Sequence, residues 1–256
     1  MMNLEWYEYL LVLIGSFIAG SINTLAGNGS VITLSLLTDL VGLPPNVANG
    51  TNRIGLLLQS AGSSKGFAQN ASANFNGATH IIVLMIIGAI AGVIVATQVS
   101  NEQFMFVFKY LMVGMLILVL VKPERWIKES TVKTLPKWQS YPIFLVLGFY
   151  GGFIQMGMGI FFVAVLVLMS GYNIIAANAI KTVVVMIYTV IVLAIFAYKG
   201  LVDWQTGFIL AIGQTFGGYL TALYAPRFPN INIWAYRLLI AIIVIAIITQ
   251  FGMIKL

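Results

Sequence analysis

Asn46-Val47-Ala48-Asn49-Gly50-Thr51-Asn52-Arg53 places three amides and a cation inside an otherwise apolar chain, and its polar pattern returns as Ala176-Ala177-Asn178-Ala179-Ile180-Lys181. A positive charge at membrane depth is costly, so two of them at corresponding places in a duplicated chain point to a site for an anion. The reading that follows is a transporter rather than an enzyme.

Composition sets the frame. Of the 256 residues, 60% are hydrophobic and 8% charged, against roughly a quarter charged in soluble proteins. This is the composition of an integral membrane protein, with room for about eight to ten apolar segments of about 20 residues and no separate soluble domain. Cysteine is absent and His80 is the sole histidine, which excludes thiolate chemistry, disulfides, and cysteine- or histidine-rich metal sites. The formal net charge is +6. Lys122, Arg125, Lys128, Lys133 and Lys137 lie in one short stretch, which reads as a cytoplasmic loop under the positive-inside rule rather than as a nucleic-acid patch. Met1 to Tyr9 carries Glu5 and Glu8 but no Lys or Arg, unlike a signal peptide, and is expected on the non-cytoplasmic side.

Apolar segments are predicted at 9–26, 31–43, 46–66, 78–98 and 104–121, and after the basic stretch at 141–157, 160–171, 174–198, 205–225 and 235–254. The chain therefore divides into a first repeat over 1–121, a basic linker over 122–140 and a second repeat over 141–256. The second segment of each half is too short to span. A 12-residue helix covers about 18 Å of a hydrocarbon core about 30 Å thick, so these pieces are expected to be broken or re-entrant, with protein or water receiving their free backbone groups. Gly27-Asn28-Gly29-Ser30 marks the break in the first half and Gly157-Met158-Gly159 the break in the second, because glycine permits turns and close approach. Each short run then ends at a glycine, Gly42 or Gly171. From there Ala48-Asn49 answers Ala177-Asn178, Asn52 answers Lys181, and Lys65-Gly66 answers Lys199-Gly200. Five segments per half make the repeat inverted, whereas four would make it parallel. The expected fold is an all-α polytopic membrane protein with two repeated, inverted halves.

Pro44 and Pro45 suit the opening of a helix, with Asn46 or Asn49 available to cap it. Its N-terminus, with outward N–H groups, favours an anion. Arg53 follows about 12 Å deep, with Asn49 and Asn52 nearby on the same helix. Asn178 and Lys181 share a face in the second copy. A guanidinium fork and a compact ammonium together suit a small oxyanion. Asp39, Asp203 and Glu102 fall near segment ends or in loops, so no embedded carboxylate offsets the cations and an anion from solution is the expected partner. The same lack disfavours a carboxylate-based sodium or metal site. Asn23, Thr24, Asn28, Ser30 and Gln155 either line the pathway or bond between helices; for Gln59 and Gln214 the second reading is preferred. Gly88, Gly92, Gly217 and Gly218 are expected at close helix contacts, and Lys109 is expected to snorkel.

Gly20-Ser21-Ile22-Asn23-Thr24-Leu25-Ala26-Gly27-Asn28-Gly29-Ser30 and Gly42-Leu43-Pro44-Pro45-Asn46-Val47-Ala48-Asn49-Gly50-Thr51-Asn52-Arg53 resemble the signature of the sulfite exporter TauE/SafE family, with Asn28 in place of the middle glycine of a triplet. The resemblance implies a plasma-membrane permease moving small sulfur-containing anions, such as sulfite or organosulfonates, outward. By motif it favours Asn49, Asn52 and Arg53 as substrate contacts, to which the repeat adds Asn178 and Lys181. Alternating access around an anion is the expected mechanism, without ATP or any cofactor, as there is no Walker motif. Alternatives are a passive anion channel or a non-transporting membrane scaffold. An intramembrane serine protease is disfavoured, because His80 lies near a segment end and no G-x-S-x-G elbow is present.

Overall fold

The computed structural model describes residues 6–69, 78–100, scattered positions between 102 and 120, and 135–250. The segment predicted at 104–121, Lys109, and nearly all of the linker at 122–140 lie largely or wholly outside the described residues. Helices α1 (Trp6–Ala26), α2 (Gly29–Ser35), α3 (Pro45–Ala68) and α4 (Ala78–Ala96) form the first half. Helices α5 (Lys137–Phe153), α6 (Met158–Ala164), α7 (Ile174–Tyr198), α8 (Trp204–Tyr224) and α9 (Ile231–Gln250) form the second. Among the described residues, four helical stretches are long and apolar enough to cross a membrane: Trp6–Ala26, Thr79–Ala96, Ile174–Tyr198 and Trp204–Arg227. Helix α3 matches them in length, but its Asn, Arg, Gln and Ser residues make it far more polar, and most of these are buried.

The two short segments are built alike. Each is seven α-helical residues followed by a five-residue π-turn, Leu36–Leu40 after α2 and Val165–Met169 after α6. Residue 29 pairs with 158, 36 with 165 and 45 with 174, a constant shift of 129 positions. Left-handed glycines bracket both: Gly27 (φ 77°) and Gly42 (φ 75°) in the first half, Gly157 (φ 73°) and Gly171 (φ 79°) in the second. A side chain at any of the four would be strained. The duplication suggested by the sequence is thus a duplication of backbone shape.

Both short segments fold back on the helix before them. A Cβ on Gly15 of α1 would stand 2.7 Å from Leu36, while Gly29 lies against Ala19 and Asn23, so α2 runs antiparallel to α1. In the second half Phe144 packs on Phe162 and Tyr150 on Phe161, with ring centroids 5.9 and 5.5 Å apart. The two hairpin tips touch: a Cβ on Gly27 would lie 2.6 Å from the Gly159 carbonyl carbon.

Helices α3 and α7, counterparts in the repeat, run antiparallel. Ser64 bonds to Thr182 near one end (3.1 Å), and Gly50 lies against Phe196 and Leu201 near the other. The halves also exchange partners, for α1 packs on α8 and α5 on α4. Small residues permit it: Gly88 and Gly92 of α4 meet the α5 backbone, and Gly213 and Gly217 of α8 meet α1, while Gly218 sits against Ser63 and Gln59. Such close backbone approach is how helices associate where lipid removes the hydrophobic drive.

Several boundaries differ from expectation. The short helical runs begin at the break itself, covering 29–40 and 158–169 rather than 31–43 and 160–171. The segment predicted at 141–157 ends as a helix at Phe153, and the break includes Gln155 at φ 65°. Asn46 does not hold the N-cap position of α3, but its Oδ1 accepts from the first-turn Val47 N–H at 2.8 Å, whereas Asn49 bonds elsewhere. Pro44 holds that position with Pro45 in the first turn, whereas α7 is capped by Asn173, whose side chain accepts from Ala176 N–H at 2.8 Å.

Candidate functional site

The helix breaks leave two C-termini, of α1 and α5, inside the protein. Most of their last carbonyls lack a helical partner, although Asn23 O also accepts from Gly27 N–H at 3.0 Å, and they carry the negative end of the helix dipole. Each is clasped by the cation-bearing helix of the opposite half. From α3, Arg53 donates from Nη1 to Gly151 O (2.7 Å) and from Nη2 to Gly152 O (3.1 Å) and to Asn49 Oδ1 (3.3 Å), while Asn49 Nδ2 donates to Phe153 O at 3.2 Å. From α7, Lys181 Nζ donates to Asn23 O (2.7 Å) and to Asn178 Oδ1, and Asn178 Nδ2 donates to Leu25 O at 2.8 Å. An asparagine and a cation, Arg53 in one half and Lys181 in the other, thus perform the same task twice, in opposite directions across the interface.

Arg53 is 0% exposed and Lys181 3%, so both heads lie in the protein interior and neither snorkels. The hydrogen-bond partners of both cations are neutral, and helix-end carbonyls, which the sequence reading does not foresee, stand where a carboxylate would. Phe196 adds a ring face 5.6 Å from the Arg53 guanidinium carbon, a favourable cation–π distance. Hydrogen bonds from a charged donor are each worth about 1.5–3 kcal/mol net, so the clasps are strong as well as geometrically specific.

Where the hairpin tips cross lies a cavity of about 20 Å³, room for roughly one water. Lys181, Asn23, Ser30 and Gln155 from the sequence-predicted set line it, joined by Gln59 and Ser60 of α3. Asn49, Asn52, Arg53 and Asn178 do not. Gln155 bridges the tips, donating to Ser30 Oγ at 3.1 Å, and its Oε1 has no partner. Asp and Glu are missing from the cavity lining.

The remaining polar side chains connect helices. Asn23 donates to Gln59 Oε1 (2.9 Å), which in turn donates through Nε2 to Thr24 Oγ1 (3.2 Å), and Gln214 donates to Asn52 Oδ1 at 3.0 Å. Gln59 therefore bonds between helices, as expected, yet also faces the cavity, which its isolated position in the sequence does not signal. Asn28 is fully buried at the first break, and both atoms of its amide lack partners. Its φ of −129° is ordinary for any residue. Glycine is therefore not required there, which explains why the signature tolerates this departure. Asp203, expected in a loop, caps α8 by accepting from Thr206 N–H at 2.9 Å, and His80 is exposed near the start of α4. No group of three His, Cys, Asp or Glu that could hold a metal occurs among the described residues.

The family model for the sulfite exporter TauE/SafE matches residues 12–251, both clasps included. The chain belongs to this family. Similar proteins include a probable membrane transporter protein ORF9 of Sinorhizobium sp, 24% identical over 88% of this chain and 86% of its own length. A probable membrane transporter protein of Haemophilus influenzae is 25% identical over 80% of each chain. Another, of Xylella fastidiosa, is 25% identical over 86% of this chain and 87% of its own. No solved structure matches the chain. This TauE/SafE protein is a multi-pass membrane transporter, with a small molecule as its cargo.

Proposed function

We propose that the chain is a secondary transporter that exports small sulfur-containing anions, sulfite or organosulfonates among them, across the plasma membrane by alternating access. One observation carries the reading: Lys181 faces a carboxylate-free cavity at the crossed hairpin tips and, like Arg53 of the opposite clasp, is a buried cation held by neutral groups. A charge held by carbonyls and amides alone is incompletely offset, and an arriving anion supplies the rest. Asn49, Asn52, Arg53, Asn178 and Lys181 are the substrate-site residues in this reading. Asn23, Asn28, Ser30 and Gln155 line the pathway, and Gly27, Gly29, Gly157 and Gly159 form its hinges.

The antiparallel course of α3 and α7 supports an inverted repeat, with residues 1–121 and 141–256 as the rocking halves. The basic stretch at 122–140 then lies in the cytoplasm of a cell whose inner membrane holds the protein. An inside-negative potential drives anions outward by about 2.3 kcal/mol per charge per 100 mV, so export needs no ATP. A cavity of about 20 Å³ is far from a continuous water-filled pore, which supports a carrier rather than a channel.

Proteoliposome flux tests this. Labelled sulfite and sulfoacetate are expected to exchange with saturation and to outrun sulfate. Flux without saturation points to a channel, and no flux of any of the three anions rejects transport of this cargo class.

A further inference from the structure

The cavity is one-sided, and the repeat locates its missing mirror image. Four polar residues on α3 and α7 line it: Gln59, Ser60, Lys181 and Thr182. At the 129-position shift set by the helices, residue 52 corresponds to 181, 53 to 182, 59 to 188 and 60 to 189. The mirror positions are therefore Asn52, Arg53, Tyr188 and Thr189. All four are buried with 0% exposure. Every one of them carries a polar atom with no hydrogen-bond partner: Asn52 Nδ2, Arg53 Nε, Tyr188 Oη and Thr189 Oγ1. They account for four of the ten such atoms among the described residues. Tyr188 and Thr189 are adjacent, yet neither hydroxyl completes a bond of good geometry.

Leaving a buried polar group unpaired is costly, so four on one pair of facing helices call for an explanation in another state of the protein. Two of them, Arg53 and Tyr188, meet at the α5 terminus. Arg53 holds Gly151 O at 2.7 Å, and the Tyr188 hydroxyl is so near Gly151 that a Cβ there would lie 2.9 Å from it. In a two-fold design, what is open beside one break in one state is open beside the other break in the alternate state.

We propose that Asn52, Arg53, Tyr188 and Thr189 form a second half-site for the transported anion, collapsed in this state, which opens as the half-site of Gln59, Ser60, Lys181 and Thr182 closes. It offers N–H and O–H donors from three neutral side chains and a guanidinium, a set suited to a small oxyanion. Its side chains come from α3 and α7 alone, because the mirror positions of Ser30 and Gln155 are Gly159 and Ala26. The inference rests on the transport reading.

The cysteine-free chain allows a direct test in oriented membrane vesicles. Ser60→Cys and Thr189→Cys are each labelled with a membrane-impermeant methanethiosulfonate from either face, with and without sulfite. The expected result is that Ser60→Cys reacts from one face and Thr189→Cys from the opposite face, and that sulfite slows both. Labelling from the same face, or an inert Thr189→Cys in a chain that transports sulfite, overturns the proposal. Tyr188→Phe serves as the second variant, since it removes one oxygen without changing shape. Sulfite flux is expected to fall about tenfold, the value of one hydrogen bond to a charged ligand, with no loss of thermal stability. An unaltered flux in Tyr188→Phe also overturns it. Wild-type protein without flux of any anion rejects the transport reading itself, and labelling from opposite faces is read independently of flux.

Discussion

Arg53→Ala is the perturbation that separates a structural clasp from a loosely held pathway charge. The substitution strips Gly151 O and Gly152 O of their donors, bonded at 2.7 and 3.1 Å in the native protein. Each orphaned buried carbonyl costs about 1–3 kcal/mol, so the pair costs about 4 kcal/mol, before the void left by a wholly buried side chain is added. Relief from burying a cation works in the other direction, but carbonyls and the Phe196 face already offset much of that charge. For a chain of this size each kcal/mol moves a melting midpoint by about 2–4 °C, so a fall of about 8–16 °C is expected at a fixed scan rate. Arg237→Ala, at an exposed position stacked on Trp234, is the control, expected to shift the midpoint by about 2 °C or less. Midpoints are read from tryptophan fluorescence of detergent-solubilised protein. If Arg53→Ala melts with its control, the α5 terminus does not depend on the guanidinium and the clasp is not structural.

Lys181→Met keeps the length of the stem but removes the charge beside the cavity; sulfite exchange is expected to fall at least about a hundredfold, consistent with loss of a buried charge pair, measured by proteoliposome flux. Gly27→Ala places a Cβ 2.6 Å from the Gly159 backbone and forces a residue at φ 77°; correctly inserted protein is expected to be scarce on fluorescence-detected gel filtration. Asn28→Ala deletes two unpartnered buried atoms at a backbone angle alanine accepts; the melting midpoint is expected to rise, by an amount equivalent to about 1–3 kcal/mol.

Much of the architecture is written in local residue types. Glycine pairs mark the breaks because glycine accepts the left-handed turns at residues 27, 42, 157 and 171 without strain, and the shortness of the runs between them forecasts re-entry. The clasps are not local. Nothing in the spacing of Asn49 and Arg53 says that their partners are the carbonyls of residues 151–153, about a hundred positions away. Reading Asn52 as the match of Lys181 follows the backbone, yet the cation doing the work of Lys181 is Arg53, one residue further on, with a fork that serves two adjacent carbonyls. The π-turns have no signature in their apolar sequences. Tyr188 and Thr189 are hidden for a related reason: in the run from Val183 to Ala197 they resemble ordinary membrane-helix residues, and only their superposition on Gln59 and Ser60 singles them out.

The reciprocal clasp also fixes an order of events during synthesis. The ribosome completes α1 about 155 residues before it delivers Lys181, and at about 5–20 residues per second this interval lasts about 8–30 s. Throughout that time Asn23 O and Leu25 O lack the donors that Lys181 and Asn178 bring, so the end of α1 is expected to stay unlocked until α7 arrives. Maturation is therefore stepwise: the α5 end closes on Arg53 as soon as residues 151–153 emerge, whereas the α1 end waits for α7, and a chain truncated before α7 is expected to go to membrane quality control rather than persist as a half-sized protein.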